Sequence, residues 1–566
     1  MIAIQQRWAH FRGDRSREGG YVAVMTALLL MVLVGLAGFA VDVGHWYLVG
    51  QREQNAADAA SMAGVTSLPG NLSGAQATAQ TYSKLNGFQN GGNTTVTPVL
   101  GGSATRLQVT VSQTVTNFFG SLLGVPTTNV SRTAIADYSG PVPLGSPCNE
   151  FGDDPAPLVG GSSVRSVNCT AAGHFWGNVG SGPALKSYGD AYQDNVCASN
   201  VDGCSGSAAG PNTDYNSNGY FYSVTLTKAV ANLTIQAFDP ALINVDDFCG
   251  APGINPNTGS PYPDPGNLTN AKNINPLHTV SGDPATRYAN GATPYCTGDI
   301  RYGGTGEVAT QFTVWNPGPN SWNPMSGSPV GGSCTQNFPG FNGDLSKALD
   351  TTNGAYNSVV AHEFRQWVPL CTISNAQPGT YTIQVQTNGP GGVPAASGHN
   401  RFSLRAYGGS SADNDAISVA GFEKMAVYAN TPNGTTTDYL ARIPSGAKGQ
   451  MFNVNLYDIG DGAKTGSTIQ IVPPAETTPT TFAGCTGTGP VLGTGALTNC
   501  TISVDSSYNG KWEVISVPIP STYTCNDTLS TGCWVSLKFF YGTGSVPNDT
   551  FSVTADIDGD PVRLVQ

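Results

Sequence analysis

The sequence predicts a single N-terminal transmembrane helix that extends into a helical spine with a small α+β unit, followed by a mainly-β region of two antiparallel sandwich-like domains. Three observations support this fold class. Residues 21–41 form one uncharged apolar run, and an Ala-rich segment without Gly or Pro covers residues 51–63. The remainder consists of short alternating runs between Gly, Pro and Asn clusters, which is typical of antiparallel sheets.

The composition of the 566 residues limits the function classes. Charged residues make up 11% of the chain, against roughly a quarter in a typical soluble domain. The apolar share of 39% is still sufficient for hydrophobic cores. Because the net charge is −12, no basic stripe is available to bind phosphates, and we expect no nucleic-acid partner.

The apolar run at residues 21–41 is long enough to cross a bilayer, since a helix rises about 1.5 Å per residue and the hydrocarbon core is roughly 30 Å thick. Four arginines precede the run, and the first charge after it is Asp42. By the positive-inside rule, residues 1–20 form a cytoplasmic basic tail and the bulk of the chain is extracytoplasmic. The predicted location is therefore the cell membrane, crossed once.

A cleaved signal peptide is the alternative interpretation of the same segment. Gly38 and Ala40 are small enough for a cleavage site. However, the apolar run is longer than the 7–15 residues of an ordinary signal sequence, which favours an uncleaved anchor.

Twelve cysteines occur, all in the region predicted to be extracytoplasmic, and none forms a C-x-x-C pair. An even number in a Lys-poor chain indicates an oxidising compartment and up to six disulfides. The pairing stays open, and we expect local pairs such as Cys197 with Cys204 and Cys525 with Cys533. The candidate disulfide cysteines are Cys148, Cys169, Cys197, Cys204, Cys249, Cys296, Cys334, Cys371, Cys485, Cys500, Cys525 and Cys533.

Residues 42–140 are predicted to form the helical spine and the small α+β unit. Asp42, Trp46 and Tyr47 follow the apolar run at the level of the outer membrane interface, where aromatic side chains are enriched. The Ala-rich segment should continue the helix as a rod, and its small side chains would let another helix approach closely. The alternative is a stalk that packs against nothing. The candidate helix-packing residues are Gln54, Asn55, Ala56, Ala57, Asp58, Ala60 and Ala63.

Within this unit, a second helix should end at Gly87. Strands are expected near Thr94–Leu100 and Arg106–Val115, followed by a short helix or turn and a further alternating strand. Beyond it, residues 141–398 are predicted as a disulfide-containing β domain and residues 399–566 as a second β-sandwich domain.

The expected strands of these two domains are Tyr220–Leu226, Asn232–Phe238, Thr380–Gln386, Arg401–Ala406, Met425–Ala429, Phe452–Tyr457, Thr468–Val472, Trp534–Tyr541 and Thr550–Ala555. An internal repeat is also expected, because the segment Leu233–Asp239 parallels Phe452–Asp458. Each segment alternates apolar residues and ends in an aromatic-Asp pair.

The segment from residue 17 to 65 resembles the N-terminal module of TadE/TadG-like proteins, which belong to the tight-adherence (Flp-type) pilus assembly systems of bacteria. A Gly-Gly pair precedes the apolar helix, Asp42 follows it in A-V-D-V-G, and Q-N-A-A-D-A-A comes after the aromatic pair. The resemblance implies a pilin-like α+β unit, a membrane location, and pilus or pilus-assembly proteins as partners.

Two departures from the family pattern narrow this expectation. Processed prepilins carry a Glu at the fifth position after the cleaved Gly, where this sequence has Met25. Many TadG-like proteins carry a von Willebrand A-type domain with a D-x-S-x-S metal motif, and the segment beginning at Asp137 lacks the second Ser. We therefore expect neither prepilin processing nor that metal site.

No catalytic motif is found in the sequence, and we expect no enzymatic activity and no catalytic residues. The pattern of Asp556, Asp558 and Asp560 makes these residues candidate ligands for structural calcium, because alternating carboxylates beside a Gly suit this ion. No other cofactor is expected. Solvated turns between strands are the alternative. Trp176, Trp315, Trp322 and Trp367 are candidates for stacking on surface glycans, with core packing as the alternative.

The sequence thus favours a membrane-anchored extracytoplasmic component of a tight-adherence pilus assembly system, acting in pilus assembly, anchoring or surface adhesion. The main alternative is a surface-anchored carbohydrate- or calcium-binding adhesin that is not tied to a pilus. A secreted hydrolase is the third hypothesis.

Overall fold

The computed structural model describes residues 15–565 with gaps. The gaps are residues 69–70, 103–104, 139, 153–157, 160–161, 168, 170–174, 205–207, 245–296, 349–351, 365, 388–395, 431–434, 462, 464–465, 478, 527–530, 543–547 and 560–561. Four predictions lie at least partly outside the described residues: most of the basic tail (residues 1–14), Cys249, Cys296 and Asp560.

One helix, α1 (Arg15–Val65), runs unbroken for 51 residues from the apolar run into the Ala-rich segment. Among the described residues it is the one helix long and apolar enough to cross a membrane. The apolar side chains of residues 21–41 point away from the rest of the protein and are largely exposed. The prediction of a long apolar helix that continues as a spine is therefore confirmed.

A four-stranded antiparallel sheet packs against the outer half of α1. Its order is β1 (Thr94–Leu100), β2 (Arg106–Thr116), β3 (Thr127–Tyr138) and β30 (Val562–Leu564). The helix α2 (Leu72–Leu85) connects α1 to this sheet; Asn71 caps its start, and Gly87 follows its end with a φ of +92°. We call residues 42–138 together with β30 the membrane-proximal module.

The remaining strands form what we call the β body, residues 143–557, in which 22 strands join one antiparallel hydrogen-bonded network in a sandwich-like arrangement. The strands β4 to β29 are Pro143–Leu144, Glu150–Phe151, Leu158–Val159, Ser162–Ser163, Phe175–Gly180, Val196–Cys197, Gly210–Pro211, Tyr220–Leu226, Val230–Phe238, Ile300–Gly304, Thr310–Trp315, Thr335–Phe338, Trp367–Ala376, Gly379–Gln386, Ala396–Tyr407, Ile417–Phe422, Lys424–Asn430, Thr435–Arg442, Met451–Tyr457, Ser467–Val472, Thr486–Gly489, Gly493–Ala496, Thr501–Val504, Trp512–Pro518, Trp534–Phe540 and Asn548–Ile557. Three short helices, α3 to α5, are Leu345–Ala348, Ser358–Glu363 and Ser411–Asn414.

The predicted boundary between residues 398 and 399 falls inside β18, which pairs with β12 on one side and with β8 on the other. A single hydrophobic core contains side chains from both predicted domains, including Tyr222, Phe312, Val454 and Phe551. The two predicted parts therefore share paired strands and one core, and their division into two domains at residue 398 stays a prediction.

The two segments of the predicted internal repeat occupy similar positions in the fold. Leu233–Phe238 lies in β12 and Phe452–Tyr457 in β22, and each strand pairs with neighbours on both sides. Both strands end at a buried aspartate in the left-handed conformation, with φ of +54° at Asp239 and +61° at Asp458. The local geometry therefore agrees with the sequence parallel.

All disulfides in the described residues join cysteines that are close in sequence, as expected. The two pairs named from the sequence, Cys197–Cys204 and Cys525–Cys533, are both present. The others are Cys148–Cys169, Cys334–Cys371 and Cys485–Cys500. These disulfides all lie within the β body, and none joins it to the membrane-proximal module.

Candidate functional site

The membrane-proximal module is fastened to α1 at the point where the predicted transmembrane segment ends. The carboxylate of Asp42 accepts three backbone hydrogen bonds, from Phe118 N at 2.7 Å, Phe119 N at 3.1 Å and Gly120 N at 2.7 Å. These amides belong to the turn between β2 and β3, residues 117–125, which we call the hairpin tip. Asp42 is buried and therefore holds the hairpin tip against the helix.

The hairpin tip is itself a tightly bonded turn. Asn117 bonds back across it, with Nδ2 donating to Val125 O at 2.9 Å and to Thr128 Oγ1 at 3.0 Å. Gly124 closes a 3-10 turn with a φ of +82°, a conformation that glycine adopts without strain. The sequence prediction of a short helix or turn here is correct, but no local pattern indicated its contact with Asp42.

The three predicted membrane-interface residues face different directions. Asp42 and Trp46 face the hairpin, and Trp46 Nε1 donates to Asn117 Oδ1 at 2.8 Å. The ring of Trp46 packs on a small cluster of Val49, Val115 and Val130. Tyr47 is exposed. Of these three side chains Tyr47 alone is exposed, and the position of all three at a membrane interface stays a prediction.

The Ala-rich face of α1 packs within its own chain. Ala56, Ala57 and Ala60 are fully buried in a core formed with α2 and the sheet. This corrects the expectation that these alanines are open to a partner. The expectation of close helix packing is met by α2, whose Ala75 and Ala79 lie in the same core. Small side chains at this contact let the two backbones come close together.

The other predicted packing residues lie around this buried stripe. Gln54 Nε2 donates to Asp58 Oδ1 at 2.8 Å, and both residues are half-buried, as is Ala63. Asn55 is exposed on the opposite side, together with Arg52 and Met62. These three residues form what we call the outer face of α1, and this face is accessible to another protein.

Glu53 is a buried residue that the sequence analysis did not single out. Its side chain is fully buried on the sheet side of α1, and neither carboxylate oxygen has a hydrogen-bond partner. Burial raises its pKa from 4.5 to about 7; the Gln113 backbone and the Arg132 side chain lie near enough to oppose this shift without completing a hydrogen bond. No sequence signal marked its burial, because Glu53 stands among polar residues, between Arg52 and Gln54, before the alanines begin.

A loop of the β body contacts the module, and the chain that leaves the β body ends in the module as strand β30. In the loop, Ser321 Oγ lies 3.0 Å from both Thr66 O and Tyr138 OH. The strand β30 pairs with β3 through Ala136, Asp137 and Tyr138. The chain therefore returns to the module after completing the β body.

Two of the predicted calcium ligands accept hydrogen bonds from a side chain of the same protein. Asn453 Nδ2 donates to Asp556 Oδ1 and to Asp558 Oδ1, both at 3.0 Å, so an amide lies between the two carboxylates. The third candidate, Asp560, lies outside the described residues. Among the described residues, no group of three or more His, Cys, Asp or Glu side chains is arranged to hold a metal ion.

The candidate sugar-stacking tryptophans divide into core and surface residues. Trp176 is buried and stacks on Phe238, as the core-packing alternative expected. Trp367 lies half-buried beneath the Arg405 guanidinium. Trp315 is also half-buried, and its Nε1 donates to Gln384 Oε1 at 3.2 Å. Trp322 alone of the four is exposed.

Trp322 lies at the edge of a groove of about 390 Å³ beside the junction with the module. Glu423, Lys424 and Asp556 also line this groove. Burial raises the pKa of Glu423 and lowers that of Lys424. The exposed Trp322 side chain thus lies in the same groove as two carboxyl groups and one amino group.

A comparison with known protein families finds a match for the N-terminal part of the chain. Residues 20–77 match the family model described as a putative Flp pilus-assembly TadE/G-like domain. This range contains the apolar run, Asp42, the buried alanines and the start of α2. No curated protein and no solved structure matches the chain. Residues 20–77, which comprise most of α1 and the start of α2, are therefore similar to TadE/G-like proteins, and a large β body follows them.

Proposed function

We propose that this chain is a membrane-anchored extracytoplasmic component of a tight-adherence pilus assembly system, in which residues 21–41 span the membrane once and the β body projects outward. The carrying observation is the TadE/G-like module at residues 20–77 on an unbroken apolar helix. The role is non-enzymatic and lies in pilus assembly, anchoring or surface adhesion.

One surface of α1 is suited to such a role. The buried alanines are occupied by α2, so a pilus or assembly protein would contact the outer face of α1, with Arg52, Asn55 and Met62. Helix residues spaced by three or four positions lie on one side, which suits helix-to-helix contact.

Site-specific photo-crosslinking in cells tests this proposal. A photoreactive amino acid at Asn55 should crosslink to pilus or assembly proteins, whereas the same group at exposed Val167 in the β body should not. Products at both positions would indicate nonspecific capture. Absence of pilus-related products from Asn55 and from Arg52 would overturn the proposed contact.

The groove at Trp322 supports a second candidate function, glycan binding by the β body. An exposed indole offers a stacking face for a sugar ring, and Glu423, Lys424 and Asp556 offer acceptors and a donor for its hydroxyls. Binding to a glycan array should be lost in Trp322→Ala and kept in Trp315→Phe. Equal binding by both variants would exclude this groove.

A further inference from the structure

We propose that the hairpin tip inserts into the outer leaflet of the membrane beside α1 and acts as a second membrane contact of the chain. The inference rests on the proposed transmembrane position of residues 21–41. The occupant of the exposed apolar surface is the lipid bilayer.

The position of the hairpin tip along α1 is the first argument. Phe119 packs against Gly38, where an added Cβ would lie 2.6 Å from the Phe119 ring. Gly38 is three residues inside the predicted span, which corresponds to a depth of about 4.5 Å along the helix axis. The His45 ring contacts Phe118 with centroids 5.2 Å apart, just above that level. The tip therefore overlaps the outer end of the apolar run.

The side chains of the tip are the second argument. Leu122 and Leu123 are 82% and 83% exposed, and Phe118, Phe119 and Val125 are exposed beside them. A turn in contact with water ordinarily carries polar residues. The sequence from residue 107 to 131 contains no Asp, Glu, Lys, Arg or His, so the tip brings no charged side chain of its own, and the carboxylate of Asp42 is already buried against it.

The backbone of the tip is the third argument, because a polar backbone group in hydrocarbon needs an internal partner. The amides of residues 118–120 donate to Asp42. Within the tip, Leu122 N donates to Phe119 O at 3.0 Å, Gly124 N to Ser121 O at 3.3 Å, and Val125 N to Gly120 O at 2.9 Å. The amides of residues 118, 119, 120, 122, 124 and 125 thus have internal acceptors.

Continuity with the anchor favours lipid over a protein partner. The exposed tip and the exposed side chains of residues 21–41 form one adjoining apolar surface, since Phe119 contacts the helix inside the predicted span. A bilayer that covers the helix to Val41 also reaches the tip. The hairpin would then fix the height and tilt of the module above the membrane.

Depth-dependent fluorescence quenching of the full-length protein in phosphatidylcholine vesicles tests the proposal. Single cysteines replace Leu122, Leu30 or Leu85 and are labelled with the NBD fluorophore under non-reducing conditions, which keep the native disulfides closed. The wild-type protein, treated with the same fluorophore, gives the background labelling. Leu30 lies in the predicted span, and Leu85 is a matched control because it is 74% exposed at the end of α2. Vesicles with and without nitroxide-labelled lipid are compared.

We expect the probes at positions 122 and 30 to lose emission to the lipid quencher and the probe at 85 to keep it. Adding Leu123→Asp should abolish quenching at 122 and leave quenching at 30 unchanged. A probe at 122 that is unquenched and water-exposed overturns the proposal, and one that is shielded but unquenched shows that a protein covers the tip instead. An unquenched probe at 30 shows that the anchor itself is wrong.

Discussion

Replacing Asp42 by Asn is expected to release the hairpin tip from α1. Asparagine keeps one acceptor oxygen but turns an amide group toward the backbone N–H of Gly120, where two donors then face each other. A hydrogen bond to a charged group contributes roughly 1.5–3 kcal/mol, and leaving a buried donor unpaired costs roughly 1–3 kcal/mol, or more where the lost partner was charged. Since the bond from Phe118 can be retained, we expect the docked tip to lose about 2–4 kcal/mol.

Hydrogen exchange measured by mass spectrometry on the detergent-solubilised full chain reports this loss directly. A factor of ten in an opening equilibrium corresponds to about 1.4 kcal/mol, so the amides of residues 117–125 should exchange roughly 30- to 1,000-fold faster in Asp42→Asn. The expected change is local, because the core around Ala57 does not depend on this carboxylate.

The matched control is Asp58→Asn on the same helix. Asp58 is half-buried and accepts one bond from Gln54, which an asparagine oxygen can still accept. The control should change exchange at the tip by less than about twofold, since partly exposed polar contacts contribute little. Unchanged exchange in Asp42→Asn, or equal acceleration in both variants, would refute the docking role of Asp42.

Further predictions concern the core, the return strand and metal dependence. Because burial raises the pKa of Glu53 to about 7, the folded protein retains a proton that the unfolded chain releases between pH 4.5 and 7. Stability therefore falls as the pH rises across that window. Glu53→Gln should raise Tm at pH 8 by the equivalent of about 2–3 kcal/mol and leave it unchanged at pH 4. Ala57→Leu and Ala60→Leu should each destabilise the module by about 1–3 kcal/mol in thermal unfolding through overpacking, whereas the half-buried Ala63→Leu should be tolerated. Deleting residues 562–566 should speed hydrogen exchange at the C-terminal end of β3, where Ala136, Asp137 and Tyr138 pair with β30, without changing the exchange of β1. Addition of EDTA should leave the melting curve unchanged, and a calcium-dependent rise in Tm would contradict this expectation.

Part of the strand pattern could be predicted, in the module and in the β body, because alternation is a local property. β11, at Tyr220–Leu226, and β1, at Thr94–Leu100, have the predicted bounds. The short strands β4 and β30 could not be found in this way, since two or three residues carry no period. They are nevertheless the strands next to the junction between the module and the β body, and their pairing is set by the tertiary fold.

The candidate site was predictable in composition but not in orientation. Ala56, Ala57 and Ala60 indicate close packing, yet a sequence does not show whether the partner is another chain or the helix α2 of the same chain. The bond between Asp42 and Phe118 joins residues 76 positions apart. Such a contact depends on the length of the β2–β3 hairpin, which brings its tip down to the level of Asp42.

The return of β30 to β3 has a mechanical consequence. Two chain segments, near Gly140 and near Gly559, connect the β body to the module, so a pulling force on the body is divided between two tethers. A body on a single linker would swivel freely about it, whereas two attachment points restrict rotation to an axis through both. A force on the β body would thus be transmitted to α1 as torque as well as pull.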